Sequence, residues 1–109
     1  MEFLYKDAYV QTDQGNICRK VLAHHGDMML VEVLFYKASD DPGLHSHPHE
    51  QIAYVLRGKF EFIIEGQESV FLGEGDSIYF KPDITHGGKP LEDNSILLDV
   101  FTPQRKDFL

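Results

Sequence analysis

Cysteine and positive charge are scarce in this sequence, and each scarcity closes off a class of function. A single cysteine, Cys18, sits among 109 residues, so neither an internal disulfide nor a thiolate-rich zinc finger can form. Cys18 reads as a small core residue. Ten Lys and Arg stand against 18 Asp and Glu, a formal net charge of −8. Phosphate recognition needs clustered Lys and Arg, so nucleic acid is not an expected partner. Nor does any basic patch answer an anionic membrane surface. No apolar run approaches the ~18 residues of a membrane span. The stretch Met1-Glu2-Phe3-Leu4-Tyr5-Lys6-Asp7 carries charges where a signal peptide has its apolar core, which leaves the cytoplasm as the expected location. Repeats, low-complexity tracts and linkers are also missing, and the length fits one domain spanning residues 1–109. A sustained 3.6-residue period, the mark of an amphipathic helix, occurs nowhere.

What is present is enough apolar material for one core, at 42% hydrophobic and 12% aromatic residues, and it comes in short bursts. The runs Ile17–Ala23, Met28–Tyr36, Gln51–Leu56, Phe60–Ile64, Val70–Leu72, Ser77–Phe80 and Ile96–Phe101 are separated by turn residues such as Gly26-Asp27, Pro42-Gly43, Gly66, Gly73 and Pro82-Asp83. Val, Ile, Phe and Tyr crowd these runs, as half-buried pleated surfaces prefer. In the first of them Ile17, Val21 and Ala23 are expected on one side, with Arg19 among them. The pattern is all-β and antiparallel, with sandwich and barrel both open.

Six histidines are many for this length, and His45, His47 and His49 fall within five positions. On an extended chain successive side chains alternate faces, so His45, His47 and Gln51 point the same way. Two imidazoles so spaced can grip one divalent transition-metal ion, and an amide oxygen can complete a mixed N/O site. His86, which follows a strand end, is the candidate for a ligand from a distant part of the chain. The alternative is a polar loop with surface histidines. His24 and His25 read as a solvated strand end, and His49, next to Pro48 and Glu50, is not assigned to the metal.

His45-x-His47, Gln51 and Gly58 resemble the first motif of the cupin family, and Gly75-Asp76 followed by His86 resembles the second. Starting the first motif at His47 instead places Ala53 at the acid position, which fails. The resemblance implies a single-domain cupin, a small antiparallel jelly-roll β-barrel. It also implies one divalent ion (Ni, Zn, Fe or Mn) on His45, His47, Gln51 and His86. Gln51 stands where the family commonly has an acid, and Lys81 and Asp83 stand where proline and glycine are usual. A neutral ligand leaves the ion's full charge on the site, which favours Lewis-acid chemistry over stabilising high oxidation states.

Near the C-terminus Asp99 interrupts an apolar strand, and an inward carboxylate is costly to bury unless paired or working. On a generic strand it would face water, and Arg105 would be a surface charge. The segments Ala23–Met29, His45–Gln51 and Leu97–Leu109, and above all Asp99-Val100-Phe101-Thr102-Pro103-Gln104-Arg105, are similar to one cupin group, the pectin degradation proteins, which ketonise unsaturated uronates. That similarity implies Asp99 and Arg105 as catalytic groups, with Phe101 and Arg105 binding a small anionic sugar. It implies ring opening of 4,5-unsaturated monouronates to linear 4-deoxy-5-keto uronates. The alternatives are a non-catalytic metal-bearing sugar-acid sensor, or another cupin oxygenase or isomerase. Apolar residues near both termini, Phe3, Leu4, Tyr5, Phe108 and Leu109, point to a homodimer.

Overall fold

The computed structural model describes all 109 residues as nine strands flanked by two short 3₁₀ turns, Lys6–Ala8 and Lys106–Phe108. The strands are β1 (Val10–Gln14), β2 (Ile17–His25), β3 (Met28–Phe35), β4 (Glu50–Arg57), β5 (Lys59–Ile64), β6 (Val70–Gly73), β7 (Ser77–Phe80), β8 (His86–Pro90) and β9 (Ser95–Thr102). They form two antiparallel sheets. One has six strands in the order β1-β2-β3-β9-β4-β7, and the other has three, β6-β5-β8. The arrangement is consistent with a jelly roll. No helix is long and apolar enough to cross a membrane.

Alternation decides which face is buried. Along β9 the odd residues Leu97, Asp99 and Phe101 are buried while Ile96, Leu98 and Val100 are only partly covered, the period of two that a pleated strand imposes. Ala53, Val55, Phe60, Phe62, Phe80 and Leu97 fill one core cluster; Val21, Met29, Val31, Val33 and Phe101 fill a second. Each fully buried Phe or Val contributes about 1.5–3 kcal/mol. Cys18 is buried, as expected.

Two strands have no counterpart among the sequence runs. All five residues of β1 are exposed, so no apolar alternation marks it. β8 reads His-Gly-Gly-Lys-Pro, turn-like in composition, yet it pairs with β5 from Ile64↔His86 to Phe60↔Pro90. The alternation expected through Ala23 also breaks. A bulge between Val21 and His24 shifts the β2–β3 register, and Ala23 comes out exposed. Two glycines permit close approaches. Gly58 has φ +83° and leaves no room for a Cβ against Ser95; a Cβ on Gly87 would collide with the Pro42 carbonyl. The second contact lets the 42–45 segment lie against β8.

Candidate metal centre and adjoining pocket

Strand parity is not what brings the histidines together. His45 and His47 precede β4, and only Gln51 lies within it. Loop hydrogen bonds do the positioning. His45 forms an isolated bridge with His86, each backbone N–H donating to the other's carbonyl at 3.0 and 2.9 Å. Asp83, at φ 65°, donates its N–H to the His47 carbonyl at 2.8 Å. The resulting ring centroids lie 4.6 Å (His45–His86), 5.1 Å (His47–His86) and 5.5 Å (His45–His47) apart. One ring nitrogen from each of the three comes within 4.8 Å of the others.

Each imidazole is oriented from behind. His45 Nδ1–H donates to the Gly43 carbonyl at 2.7 Å, His86 Nδ1–H to Ile84 at 3.0 Å, and His47 Nδ1–H to His49 at 3.2 Å. Donation from Nδ1 leaves Nε2 with a free lone pair, the arrangement a metal-binding histidine needs. His47 Nε2 and His86 Nε2 lie 3.0 and 3.2 Å from the same oxygen, Gln51 Oε1. Three acceptors converging this closely suit a cation, so the residues present fit a metal. Burial favours the neutral form of two of the rings. It lowers the His47 pKa, and it pushes His86, stacked on Phe80 at 4.0 Å, down to about 4. Three histidines are thus placed to hold a metal ion.

Beside them lies a cavity of about 390 Å³ whose polar lining includes Arg19, His45, Gln51, His86, Asp99 and Arg105. Phe101 and Phe108 contribute to its apolar wall. Asp99 is 6% exposed and its Oδ1 has no hydrogen-bond partner. Burial raises its pKa to about 7, against the opposing pull of the Gln51 amide and the Arg105 and Arg19 charges. Arg105 is held by Asp107 at two points, Nε to Oδ1 at 3.1 Å and Nη2 to Oδ2 at 2.9 Å. This pairing lowers the Asp107 pKa.

All seven residues singled out in the sequence therefore cluster, with His47 buried behind the pocket wall. Three further residues differ from their sequence readings. Arg19 stands 3.9 Å over the Phe108 ring, with Arg105 4.3 Å from the same ring. Phe108, expected at an intermolecular surface, packs inside its own chain. His24 is half-buried rather than solvated: its Nδ1–H donates to Gln104 Oε1 at 2.9 Å. His49 is not one of the three histidines whose ring nitrogens converge.

The two-sheet fold and the histidine cluster define a cupin, and the chain belongs to that family: the cupin domain profile matches residues 31–101. Within it, the chain is 42% identical over 94 residues to the pectin degradation protein KdgF of Dickeya dadantii (strain 3937), spanning 85% of this chain and 84% of that protein. The structure of KdgF from Halomonas sp. superposes with a TM-score of 0.88 at 36% identity, covering 99% of this chain and 100% of that one. An RmlC-like cupin from Shewanella frigidimarina NCIMB 400 also gives a TM-score of 0.88, at 30% identity over 100% of this chain and 96% of its own.

Proposed function

We propose that the protein is a metal-dependent enzyme that opens 4,5-unsaturated monouronates, released by pectin or alginate breakdown, to linear 4-deoxy-5-keto uronates. The observation that carries this reading is the buried, half-unpaired Asp99 carboxylate facing a sugar-sized cavity beside three converging histidines. The likeness to two KdgF proteins supports it.

In this reading Asp99 is the base. It takes the proton from the anomeric hydroxyl; the electron pair of that O–H bond becomes the second C1–O bond of the open aldehyde as the C1–ring oxygen bond breaks, and the broken bond's electrons pass to the ring oxygen as an enolate. C4 then gains a proton and the 5-ketone results, so the product is an isomer of the substrate. A pKa near 7 suits a group that must both accept and return a proton at neutral pH. Arg105 sets its positive charge beside the substrate carboxylate or the developing negative charge. Phe101 forms the apolar side of the sugar pocket. His45, His47, His86 and Gln51 would hold one divalent ion of the nickel, zinc, iron or manganese kind. Bound there, the ion supplies positive charge that favours negative charge on a nearby oxygen. The jelly roll, as a single domain over residues 1–109, serves as the rigid frame for these groups.

We further take the unit to be a homodimer. The outer face of the six-stranded sheet exposes Ile52, Tyr54, Leu56 and Tyr79, and Phe3 and Tyr5 are exposed nearby in sequence to β1. Light scattering at the mass of one 12.5 kDa chain would remove this assignment.

The deciding experiment follows the conjugated enol-acid absorbance of freshly released unsaturated galacturonate. It compares metal-loaded protein, chelator-stripped protein and buffer, since such rings also open unaided. Acceleration that needs metal and is lost in Asp99→Asn, by about 10²–10⁴-fold, supports the enzyme. A rate equal to buffer, with galacturonate still bound, supports the sugar-acid sensor instead; oxygen uptake would support an oxygenase.

A further inference from the structure

We propose that Arg19, on β2, is a substrate-binding residue: its guanidinium takes the carboxylate of the anionic sugar, together with Arg105, in a two-cation clamp around Phe108. The identity of the anion rests on the uronate reading above. The clamp itself rests on the geometry.

Arg19 shares the inward face of β2 with Ile17 and Val21 and lines the cavity. In the strand pairings it stands level with Val33 and Leu97, whereas Asp99 stands level with Val31 and Ala53, the next inward row. The protein has four ion pairs, Lys20–Glu32, Lys37–Asp93, Lys89–Glu61 and Arg105–Asp107, and Arg19 is in none of them. It makes no side-chain hydrogen bond either. A half-buried guanidinium normally finds an anion, because its desolvation is otherwise uncompensated.

Here the desolvation is aggravated by a like charge. Arg19 and Arg105 lie 3.9 and 4.3 Å from one aromatic centroid. Burial first, and then the Arg105 charge, push the Arg19 pKa down. An anion entering the cavity relieves both effects at once. Arg105 has its fork occupied by Asp107, so Arg19 is the guanidinium with a free face. In a chain of net charge −8, this pair also marks the place in the pocket where an anionic sugar is drawn rather than repelled.

The test uses full-length, metal-loaded protein and the variants Arg19→Gln and Arg19→Lys, each checked for folding by circular dichroism. With unsaturated galacturonate, R19Q is expected to raise KM by about 10-fold or more while kcat stays within about threefold, the mark of lost substrate binding. R19K, which keeps the charge and loses the fork, should fall between. Calorimetric titration supplies the readout that a merely structural role leaves unmoved. The unmodified protein should bind D-galacturonate more tightly than neutral D-galactose, and R19Q should erase that difference. A folded R19Q with unchanged KM and unchanged galacturonate affinity overturns the proposal. If R19Q does not fold, an R19K indistinguishable from the unmodified protein overturns it too. If the unmodified protein binds galacturonate through Arg19 but turns nothing over, the enzyme reading falls and the clamp stands. If it binds no galacturonate, the clamp falls.

Discussion

Ala53 stands directly opposite Asp99 in the β4–β9 pairing, and both are buried. A methyl group there leaves the Asp99 carboxylate room on the inward face, with Val31 on its other side in β3. Replacing Ala53 by Leu fills that room. Overpacking of this kind costs about 1–3 kcal/mol, and the strain falls on the carboxylate that must reach substrate. Ala53→Leu is expected to lower the melting temperature by several degrees and kcat more than KM. Unaltered kcat in a folded variant would show that Asp99 does not need the space.

Asp99 also sets a pH dependence of stability. Its folded pKa, raised by burial to about 7, exceeds the ordinary aspartate value of 3.8. Between these values the folded state holds a proton that the unfolded state has released. Stability contributed by this group is therefore present at low pH and is lost as pH rises toward 7. In chelator-stripped protein, Asp99→Asn removes that loss. The variant should be more stable than the unmodified protein at pH 8, by about 2–4 kcal/mol, with the gain shrinking to near zero at pH 4. Urea melts at several pH values measure this; a gain that does not vary with pH would contradict it.

The ring nitrogens were the most legible part of the site. Spacing put His45, His47 and Gln51 together, and His86 was added because it follows a strand end, but the cause assumed, a shared strand face, is not the one at work. Loop bonds from His86 and Asp83 hold the two histidines. Asp99 was legible only through the resemblance of the Asp99–Arg105 segment; taken as a generic strand position it reads as facing water, whereas it is buried between Leu97 and Phe101. β1 and β8 were not, since one is wholly exposed and the other carries two glycines and a proline. Arg19 was hidden for a similar reason: a single cation among apolar residues reads as a polar interruption until Phe108, 89 positions further along the chain, is seen beneath it.

Metal removal tests the histidine cluster without substrate. A ligand that binds only the folded state stabilises it by about 2.7 kcal/mol at 100 times its dissociation constant. Adding nickel or zinc to stripped protein should raise the melting temperature by several degrees. His86→Asn should abolish that rise, because it removes a nitrogen whose tautomer is fixed by Ile84. An equal rise in the variant would place the ion elsewhere.

Asp107 competes for the fork of Arg105. Its side chain is 59% exposed, so the pair contributes about 0–1 kcal/mol to stability. Asp107→Asn should leave the melting temperature nearly unchanged yet free Arg105 for an incoming carboxylate, lowering KM for an unsaturated uronate about two- to fivefold. A raised KM would show instead that Asp107 aims the guanidinium.

The segment that carries Arg105 is tied down at its start by His24. The imidazole Nδ1–H donates to Gln104 Oε1 at 2.9 Å, and Gln104 Nε2–H donates to the Gly26 carbonyl at 2.8 Å. Two hydrogen bonds thus fasten residue 104 to the β2–β3 turn, one position before the arginine. His24 is not among the residues that line the pocket, so its influence on turnover is expected to pass through this fastening. His24→Ala should cost about 1 kcal/mol of stability and lower kcat/KM severalfold. His24→Gln, able to donate to the same oxygen, should restore part of both. If His24→Ala lowers stability but leaves kcat/KM intact, the turn is a structural clasp only. If the Gln variant recovers turnover ahead of stability, the fastening holds Arg105 in its working position.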